Sequence, residues 1–239
     1  MKQDKVNMAG QHHGINFQTE ADARRRTIMI VDDHPLVCKG LEGLINQERD
    51  LQVASVAGNT SDTMAALRHA CPDMLLLDLS LPGIGGLEFL KDVKVQYPEL
   101  RVLVLSMHEE NVYAERVLRA GAQGYIMKQE PGEKVVEAIR CVLSGNIYAS
   151  QSLQTQLLQK IATNGEALQG KAGPETLADR ELQVYTLIGE GHTAREIAAR
   201  LNLSPKTIQT YREHIKTKLG LRSAMELTRS AVLWYKSGR

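Results

Sequence analysis

Residues 74–83, Met-Leu-Leu-Leu-Asp-Leu-Ser-Leu-Pro-Gly, constrain the fold more than any other stretch of this chain. Such an uninterrupted apolar run is typical of a strand covered on both faces, as in a parallel sheet. The run ends at Asp78, and crevices at the carboxyl ends of parallel strands are where open α/β sheets bind ligands. Asp78 is therefore the first candidate for chemistry, and an acid that merely forms a turn or caps a helix is the alternative.

A second apolar run, residues 27–31, ends at the adjacent acids Asp32 and Asp33. These two carboxylates can converge with Asp78 at one edge of a sheet, where three uncompensated negative charges would repel one another. Mg²⁺ takes oxygen ligands and keeps several waters. The sequence therefore predicts a Mg²⁺ site formed by the three acids.

From residue 27 the chain repeats a short apolar strand followed by a helical pattern five times. The predicted strands are 27–31, 51–57, 74–78, 101–106 and 124–127, and the predicted helices are 35–47, 61–70, 86–97, 112–120 and 132–144. This alternation favours an α/β fold with a doubly wound parallel sheet. Its carboxyl edge is expected to carry Asp32, Asp33, Asp78, Ser106 and Lys128.

The C-terminal part of the chain predicts four short helices, with starts at side chains that can cap a helix. These starts are Asp179, Thr193, Ser204 followed by Pro205, and Ser223 with Glu226 placed for a capping box. The tight turn at residues 202–204 joins the second and third helices, as in a helix-turn-helix.

The 239 residues are enough for two domains. We predict a disordered N-terminal extension (1–26), an α/β domain (27–148), a linker (149–173) that is helical around 153–161, and a small all-α four-helix domain (174–239). Residues 27–150 carry 11 Lys and Arg against 17 Asp and Glu, whereas residues 173–239 carry 11 against 7. The acidic part suits a cation site, and the basic part suits an anionic polymer.

The three cysteines, Cys38, Cys71 and Cys141, form no CxxC pair and are expected to be reduced thiols. The sequence has no run of 18 apolar residues and no secretory signal near its start. We therefore expect a cytoplasmic protein with no membrane partner.

Several short motifs in order give the chain a family resemblance. In the first domain they are Val31-Asp32-Asp33-His34, Leu77-Asp78-Leu79-Ser80-Leu81-Pro82-Gly83, Leu105-Ser106-Met107 and Gly121-Ala122-Gln123-Gly124-Tyr125-Ile126-Met127-Lys128. In the second they are Leu177-Ala178-Asp179-Arg180-Glu181, Glu196-Ile197-Ala198, Lys206-Thr207-Ile208 and Lys218-Leu219-Gly220. From about residue 27 to 234 the chain resembles a two-component response regulator of the NarL/FixJ family, with a LuxR-type helix-turn-helix.

This resemblance implies that Asp78 accepts a phosphoryl group from a sensor histidine kinase. It implies a Mg²⁺ ion held by Asp32, Asp33, Asp78 and the Ser80 backbone carbonyl. Lys128 and Ser106 would then contact the phosphoryl oxygens, and Tyr125 would match the family's switch aromatic. Taken singly, Lys128 could be a surface lysine, Ser106 a strand-end hydroxyl and Tyr125 a core ring. Met107 departs from the smaller residue that many receivers carry there.

The resemblance also implies that the third C-terminal helix enters the major groove of double-stranded DNA, with a solvated amphipathic helix as the alternative. The predicted DNA contacts are Lys206, Thr207, Gln209, Thr210, Glu213, His214, Lys216, Thr217 and Lys218. For Glu213 the favoured hypothesis is acceptance from a cytosine amine, and an intrahelical pair with Lys216 or Lys206 is the alternative. We expect a homodimer on DNA, with RNA polymerase as a further partner.

Two other classes of protein compete with this interpretation. A phosphatase of the haloacid dehalogenase type also uses a strand-end Asp with Mg²⁺, but it carries a second acid where this chain has Ser80. A quorum-sensing regulator shares the C-terminal domain, but its sensor half has no need for Asp32, Asp33, Asp78 and Lys128 at strand ends. We therefore expect a regulator and not an enzyme.

Overall fold

A computed structural model of the protein describes residues 24–83, 85–107, 110–162 and 173–237. The predicted disordered extension lies outside the described residues as far as position 23. Its last residues belong to the folded part, since the first strand begins at Arg26. The Arg25 guanidinium donates hydrogen bonds to the carbonyls of Asn46 and Glu48 at 3.2 and 2.8 Å, and Arg26 lies 2.9 Å from Asp73. These contacts hold the chain against the sheet before residue 27.

Five parallel strands form one sheet in the order β2-β1-β3-β4-β5. They are β1 (Arg26–Val31), β2 (Leu51–Ala57), β3 (Met74–Leu77), β4 (Arg101–Ser106) and β5 (Gly124–Met127). The doubly wound fold predicted from the sequence is confirmed. β3 lies between β1 and β4, which places the strand that precedes Asp78 at the centre of the sheet.

Helices cover both faces of the sheet. They are α1 (Pro35–Asn46), α2 (Thr60–His69), α3 (Gly86–Gln96), α4 (Glu110–Arg119) and α5 (Gly132–Leu143). Alternate residues of a strand point to opposite faces, so Ile28 and Ile30 pack with α1 and α5, whereas Met29 and Val31 pack in the core that contains α3 and α4. All four β3 residues are buried, because both faces of this strand are covered.

In the described residues after position 150, the regular structure consists of helices. A linker helix, α6 (Gln151–Ala162), packs against α4, and a 3₁₀ turn (Pro174–Thr176) leads into α7 (Asp179–Gly189), α8 (Ala194–Arg200), α9 (Pro205–Leu219) and α10 (Ala224–Ser237). The predicted four-helix arrangement with a helix-turn-helix is confirmed. No helix in the described ranges combines the length and apolar character that crossing a bilayer requires.

The starts of the last four helices test the predicted caps. Thr193 and Ser204 accept hydrogen bonds from backbone N–H groups of the helices that follow them. Asp179 as the first cap is wrong, because the N-cap residue is Ala178 and Asp179 is already helical. Ala178 has no side-chain acceptor, and Glu181 instead accepts from the Ala178 N–H at 2.8 Å. The Asp179 carboxylate is therefore available for contacts outside its helix.

Gly86 fixes the path of the chain after the β3 edge. A Cβ atom at this position would lie 2.4 Å from the Leu79 Cα and 2.7 Å from its carbonyl oxygen. Neither backbone atom can move without displacing the loop that follows Asp78. Glycine is therefore required where α3 begins beneath this loop.

Candidate phosphoacceptor site and nucleic-acid interface

Backbone hydrogen bonds align the residues that follow the strands at the carboxyl edge. The N–H of Asp32 donates to Ala57 at 3.0 Å, and the N–H of Asp78 donates to Val31 at 2.8 Å. On the other side of β4, the N–H of Lys128 donates to the Ser106 carbonyl at 2.8 Å. The sheet therefore brings Asp32, Asp78, Ser106 and Lys128 to one edge, as the strand pattern predicts.

Lys128 lies between two buried carboxylates. Its Nζ atom is 2.6 Å from Asp32 Oδ2 and 2.8 Å from Asp78 Oδ2, and the Asp32 and Asp78 side chains are only 2% and 1% exposed. Burial raises the pKa of Asp78 above its usual value, although the Lys128 ammonium opposes this shift. Burial would lower the pKa of Lys128, but Asp78 and Asp32 raise it. The two carboxylates therefore keep Lys128 charged.

The oxygen atoms around this lysine fit a hard cation. Ligand atoms of Asp32, Asp33, His34 and Asp78 all lie within 4.8 Å of one another. Asp32 Oδ2 is buried and pairs with the Lys128 ammonium at 2.6 Å. Because several carboxylate oxygens gathered at one edge of the sheet are suitable donors for Mg²⁺, the residues fit that ion.

The loop that follows Asp78 turns back towards its side chain. The Ser80 N–H donates to Asp78 Oδ1 at 3.1 Å, which leaves Asp78 held at both oxygens, by Ser80 and by Lys128. This bond places Ser80 beside the carboxylate. Ligation by its backbone carbonyl remains a prediction.

Ser106 and Tyr125 form a second buried pair at the same edge. Both side chains are buried, and Tyr125 is 1% exposed. Burial raises the pKa of the Tyr125 hydroxyl far above its usual value, and a hydrogen bond with Ser106 opposes the shift. The Ser106 hydroxyl, at the same sheet edge as Asp78, is thus hydrogen-bonded to Tyr125, the residue that matches the family's switch aromatic.

Sequence reasoning missed the contact between the two halves of the chain. The Tyr113 hydroxyl of α4 lies 2.9 Å from the Thr186 hydroxyl of α7, and both side chains are buried. Beside them, Asp179 lies 2.6 Å from Lys91 and 2.9 Å from Arg116. The sequence signal for this contact was Tyr113 on the apolar face of α4, and a tyrosine there is also typical of an ordinary core position.

Hydrogen bonds and an ion pair link the loop after Asp78 and the start of α3 to the C-terminal helices. The Gly83 N–H donates to the Arg200 carbonyl at 2.9 Å, and Arg180 donates to the Gly83 carbonyl at 3.2 Å. Arg180 also lies 2.8 Å from Glu88. A cleft of about 450 Å³ remains between the two halves, with Tyr211 of α9 in its wall.

Helix α9 has one buried and one open face. Ile208 and Ile215 are fully buried. Among the predicted DNA contacts, the exposed residues are Lys206, Gln209, Thr210, Glu213, His214, Thr217 and Lys218. Thr207 and Lys216 are half-buried, with Thr207 bonded to the Ser204 hydroxyl and Lys216 to Glu213.

Two predicted DNA contacts point back towards α7. Lys218 Nζ lies 2.6 Å from the Glu181 carboxylate, and His214 lies 3.9 Å from it. The Lys218 ammonium lowers the pKa of Glu181, although burial opposes the shift. Lys218 and His214 thus face Glu181 of α7, whereas Gln209 and Glu213 contact each other on the open face of α9.

Two known protein families match the chain, one over the part with the sheet and one over the C-terminal helices. Residues 28–140 match the family described as "Response regulator receiver domain". Residues 175–231 match the family described as "Bacterial regulatory proteins, luxR family". Together they account for both the sheet with its acidic edge and the helix-turn-helix.

Individual proteins match across both parts. Oxygen regulatory protein NreC of Staphylococcus aureus (strain bovine RF122 / ET3-1) is 36% identical over 208 residues, which cover 86% of this chain and 96% of NreC. A structure of RcsB from Salmonella enterica serovar Typhimurium, bound to promoter P1flhDC with the phosphomimetic BeF3-, is 26% identical with a TM-score of 0.64 and covers 87% of this chain and 98% of RcsB. Another Salmonella typhimurium RcsB structure, 25% identical, has a TM-score of 0.67 and covers 88% and 98%. This chain therefore belongs to the NarL/FixJ family of two-component response regulators, transcription regulators that join a receiver domain to a LuxR-type helix-turn-helix domain.

Proposed function

We propose that Asp78 is the phosphoacceptor of this response regulator and that its phosphorylation shifts the protein towards dimers on DNA. One observation carries the proposal: Asp78 is a buried carboxylate at the centre of the sheet edge, in contact with the Lys128 ammonium and close to the acids Asp32 and Asp33. The sensor histidine kinase would be the donor partner. Its phosphohistidine would transfer a phosphoryl group to the Asp78 carboxylate.

The transfer needs little from the protein beyond position and charge. An Asp78 oxygen attacks phosphorus, the P–N bond to the kinase imidazole breaks, and the imidazole leaves with its electron pair and takes up a proton, which leaves an acyl phosphate. Bound Mg²⁺ would supply positive charge to the phosphoryl oxygens. Asp32, Asp33, Asp78 and the Ser80 carbonyl would hold it.

Two further side chains would respond to the new group. Lys128 already contacts Asp78 at 2.8 Å, so its ammonium is in place to pair with a phosphoryl oxygen. The Ser106 hydroxyl would donate to another oxygen and give up its bond with Tyr125. Tyr125 would then be the side chain that reports the change to α4.

The DNA contacts would come from the open face of α9 and its flanks. A single helix-turn-helix reads few base pairs, and a dimer adds the contacts of two half-sites. RcsB has been solved on promoter DNA with a phosphomimetic and as dimers on DNA, which supports the same arrangement for this chain. A regulator of this kind would work in the cytoplasm, beside RNA polymerase.

Acetyl phosphate can test the phosphoacceptor directly. The protein is incubated with acetyl phosphate and Mg²⁺, and the modified peptide is identified by mass spectrometry. We expect one phosphoryl group on Asp78, none in Asp78→Asn and none after chelation with EDTA. Asp92→Asn, which removes an exposed acid of α3, should label normally. Undiminished labelling of Asp78→Asn would contradict the assignment.

A further inference from the structure

Three side chains form one polar network on the open face of α9. Gln209 Nε2 donates to Glu213 Oε1 at 2.9 Å, one helical turn away. The other carboxylate oxygen, Glu213 Oε2, lies 2.7 Å from Lys216 Nζ. Both Gln209 and Glu213 are exposed, so the docked receiver domain leaves the network open to solvent.

This network fixes which way the Gln209 amide faces. A glutamine amide carries an acceptor at its oxygen and two donors at its nitrogen, whereas a carboxylate can only accept. Glu213 therefore selects the orientation in which the amide nitrogen faces it. The hydrogen bond to Lys216 keeps the pKa of Glu213 below its usual value, so the acceptor stays charged.

The remaining groups of Gln209 match one base. With one N–H bonded to Glu213, Gln209 retains a second N–H and its carbonyl oxygen. In the major groove adenine presents an acceptor at N7 beside a donor at N6, and this pair suits a bidentate glutamine. Each Glu213 oxygen already accepts from a side chain of α9, so a cytosine amine would have to share an oxygen with Gln209 or Lys216.

We propose that Gln209 reads an adenine in each half-site and that Glu213, held by Lys216, is a positioning residue that orients the Gln209 amide. The inference rests on the proposed binding of DNA by α9. It differs from the hypothesis that the sequence favours, in which Glu213 itself reads cytosine. Gln209 would touch the base, and Glu213 would act only through Gln209.

The experiment uses the full chain, phosphorylated with acetyl phosphate and Mg²⁺. A preferred sequence is first selected from a pool of random duplexes by mobility shift. Affinity is then measured on duplexes that carry each base at every position of the half-site, and on a duplex with 7-deazaadenine at the adenine that Gln209 is inferred to read. Gln156→Ala and Glu42→Ala, at exposed positions of α6 and α1, are the matched controls.

We expect Gln209→Ala to lose preference at one adenine by about 5-fold to about 150-fold, the range for a good bidentate pair. The 7-deazaadenine duplex should weaken binding of the unaltered protein and leave Gln209→Ala unaffected. Glu213→Ala should relax the same position by a smaller factor, Glu213→Gln should restore part of it, and the double variant should match Gln209→Ala alone.

Other outcomes would overturn the inference. Loss of preference for a G·C pair at another position in Glu213→Ala, additive with Gln209→Ala, would show that Glu213 reads cytosine. An equal gain of affinity on all duplexes in Glu213→Ala would show that it only repels the backbone. If Gln209→Ala relaxes no position, the assignment to adenine is wrong. If the unaltered protein selects no duplex at all, the proposed binding of DNA is wrong as well. Failure of the adenine assignment alone can therefore be distinguished from failure of the proposed function.

Discussion

The hydroxyls of Tyr113 and Thr186 lie 2.9 Å apart across the boundary between the receiver and the helix-turn-helix domain. Burial raises the pKa of Tyr113 far above its usual value, so this hydroxyl keeps its proton. Thr186 can donate to the Leu182 carbonyl of its own helix at 2.9 Å and accept from Tyr113. A buried bond of this kind links α4, the helix beside the proposed switch, directly to the DNA-binding domain.

Removing this hydroxyl should loosen the contact between the domains. Tyr113→Phe keeps the ring but removes a hydrogen bond whose net value is typically about 0.5–1.5 kcal/mol. We expect a lower yield of the Lys91–Asp179 cross-link formed by a carbodiimide, because those two side chains are 2.6 Å apart only while the domains are docked. Tyr185→Phe, which removes a bond to Ser230 inside the helical domain, is the control and should leave the yield unchanged. An unchanged yield in Tyr113→Phe would contradict the role of this bond.

Asp179 should make docking depend on salt. Burial raises the pKa of Asp179, but hydrogen bonds from Lys91 and Arg116 outweigh it and lower the pKa. Because the pKa of Asp179 is lowered in the folded protein, its ion pairs stabilise the docked state fully above pH 3.8. That stabilisation is lost as the pH falls through the lowered pKa of Asp179. Asp179→Asn should therefore increase the radius of gyration measured by small-angle scattering at neutral pH. High salt should produce a similar increase in the unaltered protein but little further change in the variant. Scattering of Asp92→Asn should match that of the unaltered protein.

Asp78→Asn should stabilise the fold when Mg²⁺ is removed. The raised pKa of Asp78 means that the folded protein disfavours its charge, so stability falls as pH rises above 3.8, until the raised value is passed. The neutral amide avoids that loss, and we expect a gain of about 1 kcal/mol at neutral pH in urea unfolding, within the usual range for stabilising substitutions. Mg²⁺ at a hundredfold excess over its Kd should stabilise the unaltered protein by about 2.7 kcal/mol and the variant less. Equal Mg²⁺ effects on both proteins would place the ion elsewhere.

Helix α10 should form part of the dimer on DNA. Met225 and Leu233 are 82% and 58% exposed on this helix, although both are large apolar side chains. Met225→Glu with Leu233→Glu should prevent dimers of the phosphorylated protein on a two-site duplex, as measured by sedimentation, while monomer binding to a single half-site persists. Val95→Glu, at an 80% exposed position of α3, is the control. A single monomeric species of the unaltered protein on DNA, with and without the phosphoryl group, would refute the dimer.

The strands and the acidic edge could be predicted because both depend on local patterns. An apolar run that stops at an acid identifies β3 and Asp78 together, and parallel pairing then brings the other strand ends alongside. The Asp179 cap failed because the helix begins one residue earlier than predicted, with Ala178 as its N-cap and Glu181 accepting from the Ala178 N–H. The Tyr113–Thr186 bond could not be predicted, since it joins residues 73 positions apart and either side chain would suit an ordinary core.

The bond from the Gly83 N–H to the Arg200 carbonyl involves main-chain atoms only. It joins the loop that follows the phosphoacceptor to the last residue of α8, just before the turn of the DNA-binding motif. Free-energy coupling between two binding sites is reciprocal. If a phosphoryl group on Asp78 favours release of this bond, then operator DNA that requires the same release must favour the phosphoryl group by an equal factor. The promoter is then an effector of the receiver, and the equilibrium extent of phosphorylation depends on whether the protein is bound to its gene.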